Sequence, residues 1–261
     1  MISVVIRAKN QAKALEFLLS NLRNRYAADI DEIVVIDNLS TDTSEAVATK
    51  YQARFETIST FSYGGSANFA AQKAKNDIVV IFSAHSYPVS PDFFKVIQQK
   101  FDANPNLAGT RCLHTTNDYK NYINDISATV DPNKSGLIFS GSAFRKKVWE
   151  KIPFNEHVPT FEDKDWTKRV LKAGFDIEFA PVVFNYEIKR TKAQEFFRFK
   201  NDIVGNYQIW HQDYSLKNCF AGLFFSVLRL TKLFFVDVFY SFKRFFYQIS
   251  FQFNKPKKFD Y

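Results

Sequence analysis

A chain of 261 residues, 46% of them hydrophobic, has the apolar material for a sizeable core, which excludes global disorder and suits one large domain or a domain with an appendage. Its two cysteines, Cys112 and Cys219, exclude a disulfide framework and a cysteine zinc site, and fit a reducing compartment. The net charge of +8 gathers in the tail, where from Leu216 onward eight basic residues face two acidic ones, so no nucleic-acid partner is expected for the rest.

The N-terminal MISVVIRAKN enters a strand at residues 3–6 directly, without the layout of a secretion signal, so a cytoplasmic protein is expected. Strand-like runs at 32–36 and 77–82 follow, with helix-like stretches at 11–25, 43–51 and 67–75 between them. Short connections favour right-handed βαβ units and a mainly parallel, doubly wound sheet. Ligands of such sheets bind beyond the carboxyl ends of the strands. The ends at 7–10, 37–42 and 83–85 are therefore expected to face one crevice.

Residues 111–134 are polar and rich in Asn and Asp, and read as loops over that crevice. A strand over 135–144 enters a short helix near 147–151, and a helix over 162–173 ends at Gly174. Two strands, 176–179 and 182–186, flank Pro181 and close the sheet. The composition changes near Leu216, which divides the chain into 1–215 and 216–261.

Each polar cluster has a plain structural reading beside a chemical one. In IVVIDNLSTDTSEAV, Asp42 with Glu45 forms an acidic capping box, whereas Asp37 at the strand tip is placed to accept the imide N–H of a pyrimidine base. In FSYGGSANFAAQKA, Gly64-Gly65-Ser66 opens a helix whose exposed N–H groups suit phosphate. Asn68, in the first turn, is in reach of a diphosphate or ribose. In PTFEDKDWTKRVLKAGF, Thr160 and Asp163 read equally as a capping pair or as a helix start presenting a general base, with Glu162 beside it. Arg169 is spaced to pair with Asp165.

In this order, SVVIRAKN, VVIDNLSTDTSEAV, FSYGGSANFAAQKA, VVIFSAHSYP and FEDKDWTKRVLKAGF resemble glycosyltransferase family 2 over most of residues 1–188. The resemblance implies an inverting enzyme of the GT-A nucleotide-sugar fold, an α/β architecture with a mainly parallel Rossmann-like sheet flanked by helices. It implies transfer of a sugar from a nucleotide-diphosphate sugar, UDP or dTDP favoured, to a hydroxyl of a glycan or lipid-linked saccharide, as in building bacterial surface polysaccharide. By the same resemblance Asp163 is the catalytic base with Glu162 beside it, and Arg7, Asn10, Asp37, Gly64, Asn68 and Ser83 line the nucleotide-sugar pocket.

One slot departs from the family. Where relatives usually carry Asp-x-Asp, with a metal on its last carboxylate, this chain has Ser83-Ala84-His85. The resemblance makes His85 the metal ligand, with Mn²⁺ favoured over Mg²⁺ because imidazole suits the harder ion less well. A hydrogen bond from His85 to the diphosphate and a structural role stay open. VVFNYEIKR has Asn185, Tyr186 and Glu187 where relatives often have a histidine. His114, His157 and His211 match no slot and are read as structural. The rival readings are a non-catalytic nucleotide- or glycan-binding relative, and a sugar nucleotidyltransferase, whose Gly-rich basic loop IRAKNQAKAL lacks.

From Leu216 to the end the chain holds twelve of its thirty phenylalanines. No uninterrupted apolar run reaches the ~20 residues of a spanning helix. On a helical wheel the charges cluster opposite a broad apolar face. An amphipathic tail of one or two helices on an anionic membrane surface is expected, with a second subunit as the other cover for that face. The enzyme would then be peripheral on the cytoplasmic face of the inner membrane.

Overall fold

The computed structural model describes residues 1–260. Three parallel strands open the chain: β1 (Ile2–Ala8), β2 (Glu32–Asp37) and β3 (Arg54–Thr57), linked by helices α1 (Ala12–Arg25) and α2 (Ser44–Lys50). Helix α3 (Tyr63–Lys73) leads into β4 (Ile78–Ser83), which pairs in parallel with the other side of β1. Then come β5 (Ser86–Pro88), α4 (Phe93–Ala103), β6 (Leu107–Leu113), α5 (Thr116–Ile123) and α6 (Pro132–Ser135). The remaining elements are β7 (Ser142–Arg145), α7 (Lys146–Lys151), α8 (Glu162–Lys172), β8 (Asp176–Tyr186), α9 (Lys192–Trp210) and α10 (Leu216–Phe253).

The sheet order is β3-β2-β1-β4-β7-β6-β8-β5. Strand order reverses between β1 and β4, and the crevice beyond such a reversal is where doubly wound sheets bind ligands. Alternation along the strands builds a core on each face. Ile2, Val4 and Ile6 of β1 and Ile78, Val80 and Phe82 of β4 pack with the apolar stripes of α1 and α4. Val5, Val79 and Ile81 face the other way, onto Ala67, Ala70 and Ala71 of α3 and Trp166 and Val170 of α8. On α1 the stripe is Leu15, Leu18, Leu19 and Leu22, all buried, at the spacing of one helix face.

Several expected elements differ. Much of 111–134, expected as loops, belongs to β6, α5 and α6, because a capping box between Thr115 and Asp118 starts α5 and Asp131 caps α6. The two strands expected around Pro181 are one strand, β8. Its pairing with β6 is irregular between Arg111 and Leu113, so Pro181 falls where the ladder is already broken and its missing N–H costs nothing.

The chain divides into two compact units, Met1–His211 and the residues from Gln212 on. In the second, α10 is one continuous 38-residue helix, about 57 Å long at 1.5 Å per residue. It contains an 18-residue window of mean hydropathy 1.8 that is long and apolar enough to cross a membrane. The uninterrupted run of about 20 apolar residues remains absent, as expected, but the mean over the window passes by length and composition. Arg229 and Lys232 interrupt the apolar run without lowering the mean far enough to forbid a span.

Candidate active site

Register brings the three strand ends side by side. Arg7 of β1 is the partner of Ser83 of β4, and Ala8 is the partner of Asp37 of β2. From this edge the Arg7 guanidinium reaches 3.3 Å to Ser66 Oγ of α3 and 3.3 Å to Glu162 Oε1 of α8. Its carbon lies 6.0 Å from the Tyr63 ring centre and 5.9 Å from that of Phe139. Arg7 thus ties β1 to the N-terminus of α8. Burial, then the neighbouring Asp163 charge, pushes the Glu162 carboxyl up to about 7, with Arg7 opposing.

Asp163 is held by two main-chain donors. Its Oδ2 accepts from Phe139 N–H at 2.8 Å and its Oδ1 from Lys164 N–H at 2.7 Å. The alternative capping pair is not formed: the residue before α8 is Phe161, in the left-handed region at φ 64°, and no side chain caps the helix there. The Arg169–Asp165 pair forms as spaced, at 2.8 Å.

The segment 136–141 joins the two sides of the crevice. Ser83 N–H donates to Ser140 Oγ at 2.8 Å, and Leu137 N–H to Thr167 Oγ1 at 2.9 Å. The Gly136 carbonyl accepts from both Arg111 Nη1 (2.6 Å) and Lys164 Nζ (3.1 Å). Gly141 closes the segment at φ 85°, where an added Cβ would stand 2.4 Å from the Phe184 ring, so only glycine fits. Burial and then the nearby Arg111 charge push the Lys164 amine down to about 7. Burial also pushes Asp118 up, but bonds from His114 and the Arg111 charge hold it well below the usual carboxylate range. This buried group was not legible in the sequence, since Arg111, Asp118 and Lys164 lie in three separate polar stretches. His114 belongs to it, 2.7 Å from Asp118 and stacked on Phe184, as expected for a structural histidine.

His85 follows β4. Its Nδ1 lies 3.0 Å from Gln11 Nε2 and 3.2 Å from Gln11 Oε1, and its ring meets Tyr186 edge-on at 4.9 Å. Burial, then the charges of Arg190 and Arg7, pushes its pKa down to about 4, so the imidazole is neutral at physiological pH. Its Nε2 is buried without a hydrogen-bond partner. An orphaned nitrogen of a neutral imidazole fits a divalent cation as a single ligand. Among the described residues no group of three or more His, Cys, Asp or Glu is placed to hold a metal. Asn185 is bonded to the Tyr87 hydroxyl at 2.6 Å, and Glu187 N–H donates to the His85 carbonyl at 2.9 Å.

The β2 end is closely bonded. Asp37 accepts from Ser40 N–H at 2.7 Å and from its hydroxyl, while Asn10, at φ 50°, accepts Thr41 N–H at 2.8 Å. Asp42 forms no capping box with Glu45. It accepts from Ala12 N–H at 2.9 Å and from Ser44, clamping the starts of α1 and α2 together.

Asn68 departs from its expected role. Its NH₂ donates to the Phe154 carbonyl and to Glu156, and its oxygen accepts from Trp149 Nε1 and Phe154 N–H. With its amide fully committed, Asn68 is a clip between α3 and the 154–156 segment, with no group left for a diphosphate. Gly64 permits the same approach, because a Cβ there would lie 2.2 Å from the Asn155 carbonyl oxygen. The α3 N-terminus is capped by Ser62, which accepts from Gly65 N–H.

A family model described as glycosyl transferase family 2 matches residues 3–171. A dolichyl N-acetyl-alpha-D-glucosaminyl phosphate 3-beta-D-2,3-diacetamido-2,3-dideoxy-beta-D-glucuronosyltransferase from Methanococcus voltae is 25% identical, over 76% of this chain and 70% of its own length. The O-antigen chain rhamnosyltransferase WbaN from Salmonella anatum is 26% identical, over 64% of this chain and 60% of its own. Among solved structures, the mannosyltransferase PcManGT from Pyrobaculum calidifontis, in complex with GDP-Man and Mn²⁺, superposes with a TM-score of 0.62 at 18% identity. That match covers 83% of this chain and 66% of the other. Glucosyl-3-phosphoglycerate synthase from Mycobacterium tuberculosis, with Mn²⁺ and UDP-glucose, gives 0.60 at 16% identity, over 82% and 80%. These likenesses confirm the GT-A type of fold.

Proposed function

The chain belongs to glycosyl transferase family 2 and is a glycosyltransferase, and from that premise we propose that it inverts the anomeric carbon of a nucleotide-diphosphate sugar in bacterial surface polysaccharide biosynthesis. The observation that carries this reading is the meeting of Glu162, with Asp163 next to it in the chain, and Arg7 at the strand-order reversal. Asp163 takes the proton from an acceptor hydroxyl as that oxygen attacks the anomeric carbon, opposite the departing nucleotide diphosphate. Its two backbone donors keep the carboxylate aimed and leave lone pairs for the proton. Arg7, Asn10, Asp37 and Ser83 line the nucleotide-sugar pocket, and the buried guanidinium of Arg7 offsets charge near the diphosphate. Both relatives are named for transfer onto glycan chains or lipid-linked sugars, which supports a saccharide or lipid-linked saccharide acceptor.

His85 would hold a divalent cation, Mn²⁺ before Mg²⁺, in a subgroup marked by Ser83-Ala84-His85. When bound, such an ion supplies positive charge to the leaving diphosphate. The Gln11 amide sets the alternative. With its oxygen toward Nδ1–H, Nε2 carries a lone pair for a metal; with its nitrogen there, Nε2 carries a proton for a phosphate oxygen. The exposed apolar surface of α10 supports a tail, residues 216–261, that would hold the enzyme on the cytoplasmic face of the inner membrane.

Titration calorimetry with UDP, dTDP and GDP, each with Mn²⁺, Mg²⁺ or EDTA, tests the donor. Mn²⁺-dependent binding of UDP or dTDP supports the full reading, and binding unchanged by EDTA moves His85 to the diphosphate. Absence of nucleotide binding would leave a non-catalytic relative. Asp163→Asn is expected to lower turnover by about 10²–10⁴-fold while donor binding survives.

A further inference from the structure

A second cavity, of about 450 Å³, lies in the first unit between α8, the last turn of α9 and the segment 155–158. Asp165, Lys168, Arg169 and Lys172 line it from α8, at the i, i+3, i+4, i+7 spacing of one helix face. His157 and His211 line it from the other walls. Glu162 and Asp163 start the same helix, and Arg169 lies six residues, or about 9 Å along the axis, beyond Asp163.

Three cations face one carboxylate here, and internal partners account for only part of that charge. Lys168 Nζ donates to the Ile209 carbonyl at 2.8 Å and lies 4.9 Å from the Trp210 ring centre, so it caps α9. Arg169 Nε donates to Asp165. Arg169 Nη2, however, is buried with no hydrogen-bond partner. The Lys172 amine and the imidazoles of His157 and His211 are exposed and, among the described residues, bonded to no protein group, so they stay open to a ligand from solvent. Complementing the helix dipoles explains cations near the C-termini of α8 and α9, but not a guanidinium nitrogen buried without a partner in the wall of this cavity.

We infer that this cavity is a second anion site, taking a phosphate or diphosphate group carried on a larger molecule. A guanidinium edge, an ammonium and two imidazoles approaching from different walls match the several oxygens of a phosphate. The volume exceeds one phosphate and leaves room for a sugar or the first part of a lipid. Val158 and Ile209 supply apolar wall for that remainder. The site is separate from the crevice and does not depend on the nucleotide reading.

The test is calorimetry of inorganic pyrophosphate on the full chain in detergent, with and without UDP, for wild type, Lys172→Glu and Arg169→Gln. Running both conditions keeps a failure of the nucleotide reading distinct from a failure of this one. Wild type is expected to bind pyrophosphate at a site that UDP does not displace. Each variant should weaken that binding by about tenfold or more and leave UDP binding unchanged. Competition then separates the sources: displacement by phosphatidic acid in mixed micelles of the same detergent, but not by phosphatidylcholine, assigns a lipid phosphate, and displacement by glucose 1-phosphate assigns a soluble one. The inference is overturned by the lack of a UDP-independent site, by equal affinity in wild type and both variants, or by failure of both competitors.

Discussion

At Glu162 two demands oppose each other, because the carboxyl is buried like a core residue yet stands between a cation and another acid. Its pKa is raised from 4.5 to about 7 by burial and by Asp163, against the pull of Arg7. The native state therefore binds a proton more readily than the unfolded chain. The resulting stability is fully present below about pH 4.5 and is lost as pH rises through about 7. Thermal unfolding of wild type and Glu162→Gln across this range checks the sign: wild type should lose ground relative to the variant as pH rises. A constant difference would mean that Glu162 does not titrate there. At His85, replacement by Asp restores a carboxylate to the slot and should shift the metal that best supports turnover toward Mg²⁺, read from activity with each ion in turn.

Helix α3 shows how an element earns its place by close approach. Gly64 brings it against the Asn155 carbonyl, and Asn68 then makes three bonds to the same segment and a fourth to Trp149 of α7. Gly64→Ala should cost about 1–3 kcal/mol through the forced separation, measured by denaturant unfolding, with nucleotide affinity changing less than stability. This element also marks the limit of what the sequence made legible. The strands announced themselves because buried runs such as IVVIF have few alternatives, and the position of Asp163 followed from its place at a helix start. Asn68 was misread because a polar residue in a first turn suits a clip and a ligand equally, and only the chain passing at 154–156 decides. The 136–141 segment, expected as part of a strand over 135–144, lies outside β7 and was misread for a related reason. Its path is set by Arg111, Lys164, Thr167 and Asp163, which come together only in the folded chain.

Across the whole molecule the two units obey different rules. The first buries its apolar residues in two cores, while α10 carries Phe224, Phe225, Phe234, Phe235 and Phe239 exposed along a single helix. Such a helix calls for a bilayer or a second copy to cover it. If α10 enters the hydrocarbon, the full chain will sediment with membranes and resist high salt, leaving only with detergent. Release by salt alone would place it at the headgroups instead, held through residues such as Arg229, Lys232, Lys243 and Arg244. Membrane attachment through this helix would suit a glycosyltransferase whose acceptor is fixed to a surface, since it would confine the search for that acceptor to two dimensions.

The hold on Asp163 by a peptide N–H of residue 139 has a consequence for variation. The side chain at 139 does not supply the bond, so exchange of Phe139 for Leu leaves the donor of the aligning bond intact. Only a change that removes the amide hydrogen or reroutes the chain touches it. Inheritance can therefore redraw the lining of the crevice one side chain at a time while the aim of the proposed base is passed on in the backbone.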